Sequence, residues 1–574
     1  MNRAADFCRE HCCFRFVLCF LLFLRFTTGE AQTVYVPSSH RIYRYIERLT
    51  ATGTIETALL TTRPWTRKEI GAYLEEIHRK SDGGRLLSRV DRQALAYFAV
   101  EFREEVDACA PLPPDSTDFS RLMRHRWVDP WMPDLLYRNG RNFFSVQDGP
   151  LALYWDPVFR RSRLFAVADT LHDRERQFSD TNGFVLWGTI GGHVGFITDV
   201  RDSKEWGTQI YPGTVNVTRE RLGFAQGGGD HLYHDETAAS VVLDHRWLTV
   251  QFGKDSNRWG PVQNGQLALS DWATGTDQVK LQVRTRRIKF TSLWALLQHT
   301  DEGFFYGNHQ DKSFAAHRLE FAPFGRLQIG IHETVVYADR RFEPAYLNPL
   351  MFFRSAEHYL GDRDNATMGI DALWSAPAKL QIYGEYFIDD LKTSRWGSDF
   401  YGNKTAWSVG CYRVDLLGID NLDGRVEYTR IRPFVYSHKF PLTAYRHFST
   451  VLGHRLGPNA DEWNASLSLQ PSRPLEMLFG FRYRRQGLNS EATNVGSDID
   501  RPSGADDGEN APFLAGDRLE QQSWNVDVRW ELLRKLTVRA AGQWSRTDGS
   551  AVEKTTGKRS IDRTEWAVGM EFNY

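Results

Sequence analysis

The feature that most constrains this chain is strict alternation of apolar and polar side chains, held over runs long enough to cross a bilayer. Trp524, Val526, Val528, Trp530 and Leu532 fall in one phase; Ser523, Asn525, Asp527, Arg529 and Glu531 fall in the other. A tight turn at Leu533-Arg534-Lys535 reverses the chain, and Leu536, Val538, Ala540, Gly542 and Trp544 then alternate with Thr537, Arg539, Gln543 and Ser545. The last run keeps the beat through Trp566, Val568, Met570, Phe572 and Tyr574. Period two marks β-strands. A soluble sandwich alternates as well. Runs of ten or more residues, and a terminal aromatic in register with the apolar phase, favour a transmembrane barrel instead.

The same unit recurs upstream. Between Ser240 and Leu297 two strands turn at His245-Arg246, a long polar-aromatic loop follows, and two more strands turn at Arg286-Arg287. Short turns fall near Gly191-Gly192, His245-Arg246, Arg286-Arg287, Pro323-Phe324, Ala376-Pro377, Ile419-Asp420, Ser472-Arg473 and Arg534-Lys535, with long loops between them. With both ends of the chain on the periplasmic side, eight short turns imply about 18 strands, an even number as in bacterial outer-membrane barrels. The 18 Trp, 22 Tyr and 36 Phe suit two aromatic girdles. A net charge of −1 gives nucleic acid nothing to hold.

Ahead of the barrel the reading changes. Residues 1–31 form a signal peptide, with Arg3, Arg9 and Arg15 before the apolar run Phe16–Leu24. Residues 36–108 read as a periplasmic bundle of three amphipathic helices. Thr66-Arg67-Lys68-Glu69 is a capping box for the second helix, and Ser88 caps the third. Pro111, Pro113 and Pro114 open a linker and barrel-entry segment over 109–150, and the barrel fills 151–574. Cys109 and Cys411 are expected as free thiols.

Two loops stand out. The loop from Gly253 to Asp277 gathers Asn257, Arg258, Trp259, Asn264, Gln266, Asp271 and Trp272. Planar amides, carboxylates and arginine grip sugar hydroxyls, and indoles stack on sugar faces. A carbohydrate site at the outer mouth is therefore one reading; a loop packed into the pore is the other. The second loop, 338–365, carries Phe342, Tyr346, Leu347, Asn348, Pro349, Leu350, Met351, Phe352 and Phe353, with Arg354 and Glu357 beside them. So apolar a run is expected to fold inward as a plug or constriction. His231, His234, Asp235 and Glu236 have metal-ligand types, but their Gly-rich setting reads as a surface loop. Asp498, Asp500, Asp506, Asp507 and Glu509 read as a disordered external loop. No spacing suggests a catalytic set, and neither metal nor other cofactor is expected.

The segment Phe252-Gly253-Lys254-Asp255, with Arg258-Trp259-Gly260-Pro261 and Leu269-Ser270-Asp271-Trp272-Ala273, resembles the Wzi capsule-assembly family, as do Asn348-Pro349-Leu350 and Gly369-Ile370-Asp371. The resemblance implies a monomeric, mainly β protein: an 18-strand outer-membrane barrel with a periplasmic helical bundle. It also implies a lectin-like role in attaching capsular polysaccharide. The expected partners are surface polysaccharide, outer-membrane lipid and lipopolysaccharide, and the barrel assembly machinery, which would read Phe572 and Tyr574 as an assembly signal. The alternative is a porin or solute channel on a similar barrel.

Overall fold

The structure is a computed structural model that describes residues 34–573 except 57, 83–86, 107–138, 169–174, 209–215, 220, 300–309 and 505–506. The signal peptide, most of the linker, Cys109 and Tyr574 lie outside the described residues.

Eighteen antiparallel strands close into a barrel. They are β1 (Leu151–Ala168), β2 (Glu175–Ile190), β3 (Val194–Gly207), β4 (His231–His245), β5 (Leu248–Asp255), β6 (Thr276–Arg284), β7 (Ile288–Leu297), β8 (Lys312–Phe324) and β9 (Leu327–Ala338), followed by β10 (Asn365–Ala376), β11 (Leu380–Asp390), β12 (Lys404–Arg413), β13 (Leu422–Ile431), β14 (Ala460–Ser472), β15 (Leu475–Leu488), β16 (Asp517–Leu533), β17 (Leu536–Asp548) and β18 (Ser560–Phe572). Each strand pairs with its sequence neighbour, and β18 closes on β1 with Phe572 opposite Phe159. Those two rings stack at 4.9 Å. Every short turn read from the sequence joins two strands at one end of the barrel.

Alternation assigns the two faces. Leu319, Ile331 and Ile370 lie side by side on β8, β9 and β10 and are all exposed, which marks the lipid face. One residue over, Glu320, Gly330 and Asp371 point into the lumen. Closure satisfies the backbone polar groups of the wall, as a bilayer demands.

Three helices form, α1 (Ile42–Ala51), α2 (Arg67–Asp82) and α3 (Arg89–Glu101); the last two start where their caps predict, whereas α1 follows Arg41 with no side-chain cap. Glu69 N–H donates to Thr66 Oγ1 at 3.2 Å, and Thr66 N–H returns a bond to Glu69 Oε2 at 3.0 Å. Asp91 N–H donates to Ser88 Oγ at 2.9 Å. The bundle does not stand apart from the barrel. Its core of Ile42, Ile46, Ile70, Leu74 and Phe98 runs on into Leu373, Tyr383, Tyr412 and Val414 of the barrel. It is a stopper seated in the short-turn end.

Candidate functional site

The loop between β5 and β6 descends into the lumen and meets the stopper. Trp259 pairs with Thr62, and Arg258 with Arg63, in a two-residue antiparallel ladder. Gly260 N–H donates to Thr61 O at 2.7 Å. Two wall carboxylates hold the descending chain. Glu385 accepts from Leu267 N–H at 2.9 Å and Val262 N–H at 3.2 Å. Glu427 accepts from Gln263 N–H at 2.8 Å and from Asn264 Nδ2 at 2.7 Å. Gly260 has φ +127, and a Cβ there would lie 2.1 Å from Glu385 Oε1, so only glycine fits. From the segment between β13 and β14, Tyr436 and Tyr445 donate to the carbonyls of Leu267 and Ala268 at 2.8 and 2.9 Å.

This placement corrects the outer-mouth expectation. Asn257, Arg258 and Trp259 are buried inside the barrel. Asn257 bonds Gln278 at 2.6 Å and Lys280 at 3.3 Å, so its amide is spent on the wall. Trp259 is 1% exposed and offers no stacking face. Trp272 is half-buried, with the Arg221 guanidinium 4.4 Å over its ring. Arg258, Asn264 and Asp271 do border open space, described below.

The inward-plug expectation for 338–365 is also overturned. This flap carries α4 (Pro344–Leu347) and α5 (Phe353–Tyr359) and lies against the outside of the wall. Tyr346, Phe353 and Ala356 pack on Ala315, Val335 and Ala366, which share the phase of Leu319, Ile331 and Ile370. Asn348 and Phe352 are exposed, Pro349 is half-buried, and Arg354 donates to Glu357 at 2.9 Å. The lumen in this sector is already filled by the β5–β6 loop and Tyr445, which leaves the flap only the outer face.

Two smaller expectations change as well. His231 and His234 sit in β4, not in a loop, and period two sends them to opposite faces. Among the described residues no group of His, Cys, Asp or Glu could hold a metal ion. The acidic loop is held down: Asp500 pairs with Arg446 and Glu509 with Arg395, each at 2.8 Å.

Ion pairs seat the stopper around the rim. Lys68 reaches Asp244 at 2.8 Å, Arg41 reaches Glu531 at 2.9 Å, and Arg534 reaches Glu101 at 2.9 Å. Thr61 N–H donates to Glu320 Oε1 at 2.9 Å, and Arg318 donates to Thr62 Oγ1 at 2.8 Å while pairing with Asp371 at 2.6 Å. Burial by itself would raise the Glu69 carboxyl; Arg284 and Lys289 overcome it and hold it at about 2.

His40 makes the seat acid-sensitive. Burial pulls its imidazole from 6.5 down to about 4, against the opposing pull of Glu101. Its neutral Nδ1 accepts from Ile42 N–H at 3.2 Å. Between pH 6.5 and about 4 the released helix binds a proton that the seated one refuses, so stability falls as pH falls through that window. The loss reaches about 3 kcal/mol at most. Limited proteolysis of the bundle is expected to quicken below pH 6, and His40→Asn, which keeps an acceptor without titrating, is expected to flatten the dependence.

Opposite the filled sector the lumen is open and polar. A chamber of about 480 Å³ lies between α1, the descending loop and the inner faces of β13–β16. Arg41, Arg44, Arg258, Arg425, Arg482 and Arg529 border it, against Glu47, Asp271 and Asp423. Burial, with Arg529 and Arg41 adding to it, draws the Arg44 guanidinium down to about 10, while Glu476 pairs with it. A second space of about 360 Å³ adjoins it at Arg482 and Asn525 and continues past Asp527, Arg539, Gln543 and Glu565. Gln543 is exposed although it points inward, so this half of the barrel holds solvent. Guanidiniums, amides and carboxylates spaced along one wall can bind hydroxyl and carboxylate groups in series. Alternation put these residues in the polar phase, but nothing in their spacing separates them from the polar lining of any barrel.

A family model described as capsule assembly protein Wzi matches residues 226–560, more than half of the chain. The fold is similar to that of Wzi from Escherichia coli, described as an outer-membrane protein involved in group 1 capsule assembly and a carbohydrate-binding β-barrel. That similarity has a TM-score of 0.55 at 12% identity and covers 95% of this chain and 100% of that one. OprD of Pseudomonas aeruginosa is similar at a TM-score of 0.40 and 12% identity, covering 74% of this chain and 94% of its own. OccAB1 of Acinetobacter baumannii is similar at 0.42 and 8%, covering 73% and 96%. No curated protein sequence matches the chain.

Proposed function

This chain belongs to the capsule assembly protein Wzi family, and from that premise we propose that it holds capsular polysaccharide at the cell surface. It is an outer-membrane β-barrel of a Gram-negative bacterium, with its helical bundle toward the periplasm and its long loops outward. The observation that carries the reading is the half-filled lumen: stoppered below, and lined on its open side by arginines, amides and carboxylates. A diffusion porin needs a path through, and here helices, the descending loop and rim ion pairs occupy it. Most arginines bordering the chamber are already paired, Arg41 with Glu531, Arg425 with Glu47, Arg482 with Glu462 and Arg529 with Asp527, so the lining presents paired charges and amides suited to sugar hydroxyls as much as to carboxylates. In this reading a chain end or branch enters from the loop side, and Arg482 and Asn525 grip it where the two spaces meet.

The test is retention of polysaccharide on cells. In a strain lacking the native protein, wild type is expected to restore the cell-bound fraction. The pair Arg482→Ala and Asn525→Ala is expected to leave most polysaccharide in the medium, with the barrel still heat-modifiable on gels. Retention equal to wild type would remove the chamber from binding.

A further inference from the structure

The flap on the outer wall makes a second kind of site. In the lipid-facing phase, His317 and Glu333 interrupt an otherwise apolar surface, paired at 3.4 Å. Glu333 lies near the middle of β9, which has 12 residues, rather than at its loop end. The flap covers this pair. Phe353 N–H donates to Glu333 Oε2 at 2.9 Å, and the Phe353 ring lies 4.2 Å from that of His317. The flap therefore reaches down beside the bilayer. Leu350 at 89% and Phe352 at 55% exposure, improbable against water, are suited to lipid. At the flap's tip backbone donors are met within the flap, as that setting requires: Met351 N–H donates to Asn348 O at 3.1 Å, and Leu350 N–H to Asn348 Oδ1 at 3.1 Å.

Between flap and wall runs a groove of about 480 Å³. Leu350, Met351 and Phe352 form one side; Ile331, Met368 and Ile370 form the other. Its size suits a small ligand, and its lining is mostly apolar and, through the methionines, adaptable. Of the polar side chains that line it, Glu333 is engaged by His317 Nδ1 and by Phe353 N–H, while His317 Nε2 has no hydrogen-bond partner and Tyr386 lies at the groove's edge. The groove is continuous with the membrane-facing band. We propose that it is a slot for one acyl chain of an outer-leaflet lipid, held in place rather than exchanging freely like the lipid around it.

The experiment uses the full-length protein in liposomes doped with phosphatidylethanolamine carrying a mid-chain diazirine, with photolabelled peptides located by mass spectrometry. Residues 349–352, Ile331 and Met368 are expected to take at least about fivefold more label than Val526 and Val568, which face lipid on bare wall. Met368→Trp, which fills the groove, is expected to bring that label to the bare-wall level and leave Val526 and Val568 unchanged. If that variant does not assemble, Leu350→Asp serves, because its side chain packs against nothing essential to the barrel. Unlabelled lipopolysaccharide or unlabelled phosphatidylethanolamine, whichever competes, identifies the lipid. Uniform label around the barrel, label indifferent to both variants, or competition by neither lipid overturns the proposal.

Discussion

Glu69→Ala is expected to unseat the stopper on one side and turn a closed barrel into a leaky one. Glu69 is 2% exposed and carries three jobs at once. It completes the capping box of α2, pairs with Lys289 at 2.8 Å, and pairs with Arg284 at 3.2 Å. Lys289 is itself 1% exposed. Removing one partner of a buried pair costs about 3–5 kcal/mol, because the remaining charge stays out of water. Loss of the capping contact adds about 1 kcal/mol. The wall's hydrogen bonds are untouched, so heat-modifiable migration is expected to persist. Planar-bilayer conductance is expected to appear, and protease is expected to reach the bundle. The second change Lys289→Met is expected to restore much of the seat, since replacing both members of a buried pair by apolar groups is often neutral. Conductance and proteolysis equal to wild type would show that the ion pair does not hold the stopper.

Arg48→Ala is expected to have an effect of the same size at another point on the rim. Arg48 binds Asp91 of α3 at 3.0 Å, Asp415 of the β12–β13 turn at 2.6 Å, and Asp423 of β13. It is 6% exposed, and its guanidinium is the centre through which two helices and the wall are joined. Without it three carboxylates face one another with little solvent, again at a cost of about 3–5 kcal/mol. Arg48→Lys is expected to recover only part of this, because a single ammonium cannot span three partners in one plane. The measurement is denaturant-induced release of the bundle followed by proteolysis; a midpoint unmoved in Arg48→Ala would contradict the assignment. The two sites are separate, so the double variant is expected to show nearly additive losses.

Much of the barrel is legible in the sequence, for simple reasons. Trp524, Val526 and Trp530 must meet lipid while Asn525, Asp527 and Arg529 meet solvent, so the phase is written residue by residue. The short turns carry Gly, Pro or Arg at fixed places between the runs. The helix starts are legible at Thr66, Glu69 and Ser88, because capping is local chemistry. What long-range contact decides is not written that way. The Arg258-Trp259-Gly260-Pro261 block carries the sequence resemblance, yet Trp259 and Gly260 build the lumen filling and only Arg258 borders the open chamber. The partners that draw it inward, Glu385 and Glu427, lie far along the chain and look like ordinary polar-phase residues.

The flap teaches a related lesson. The apolar run from Phe342 to Phe353 implies cover but does not say on which face. A signal was present: His317 and Glu333 fall in the lipid phase, and polar, ionisable side chains in that phase need a lid. The half-empty lumen had no such marker. Arg482, Asn525 and Gln543 become a site only because the helices and the β5–β6 loop fill the other side.

The most direct test is a titration of the purified, detergent-solubilised protein with capsular polysaccharide from its own strain. Wild type is expected to bind, more weakly as salt is raised, because guanidiniums supply much of the contact. Arg482→Ala with Asn525→Ala is expected to lower affinity at least about tenfold, since a hydrogen bond to a charged group is worth about 1.5–3 kcal/mol. A wild-type protein that binds no polysaccharide, or a double variant that binds as tightly as wild type while folding normally, would contradict a polysaccharide site in the lumen.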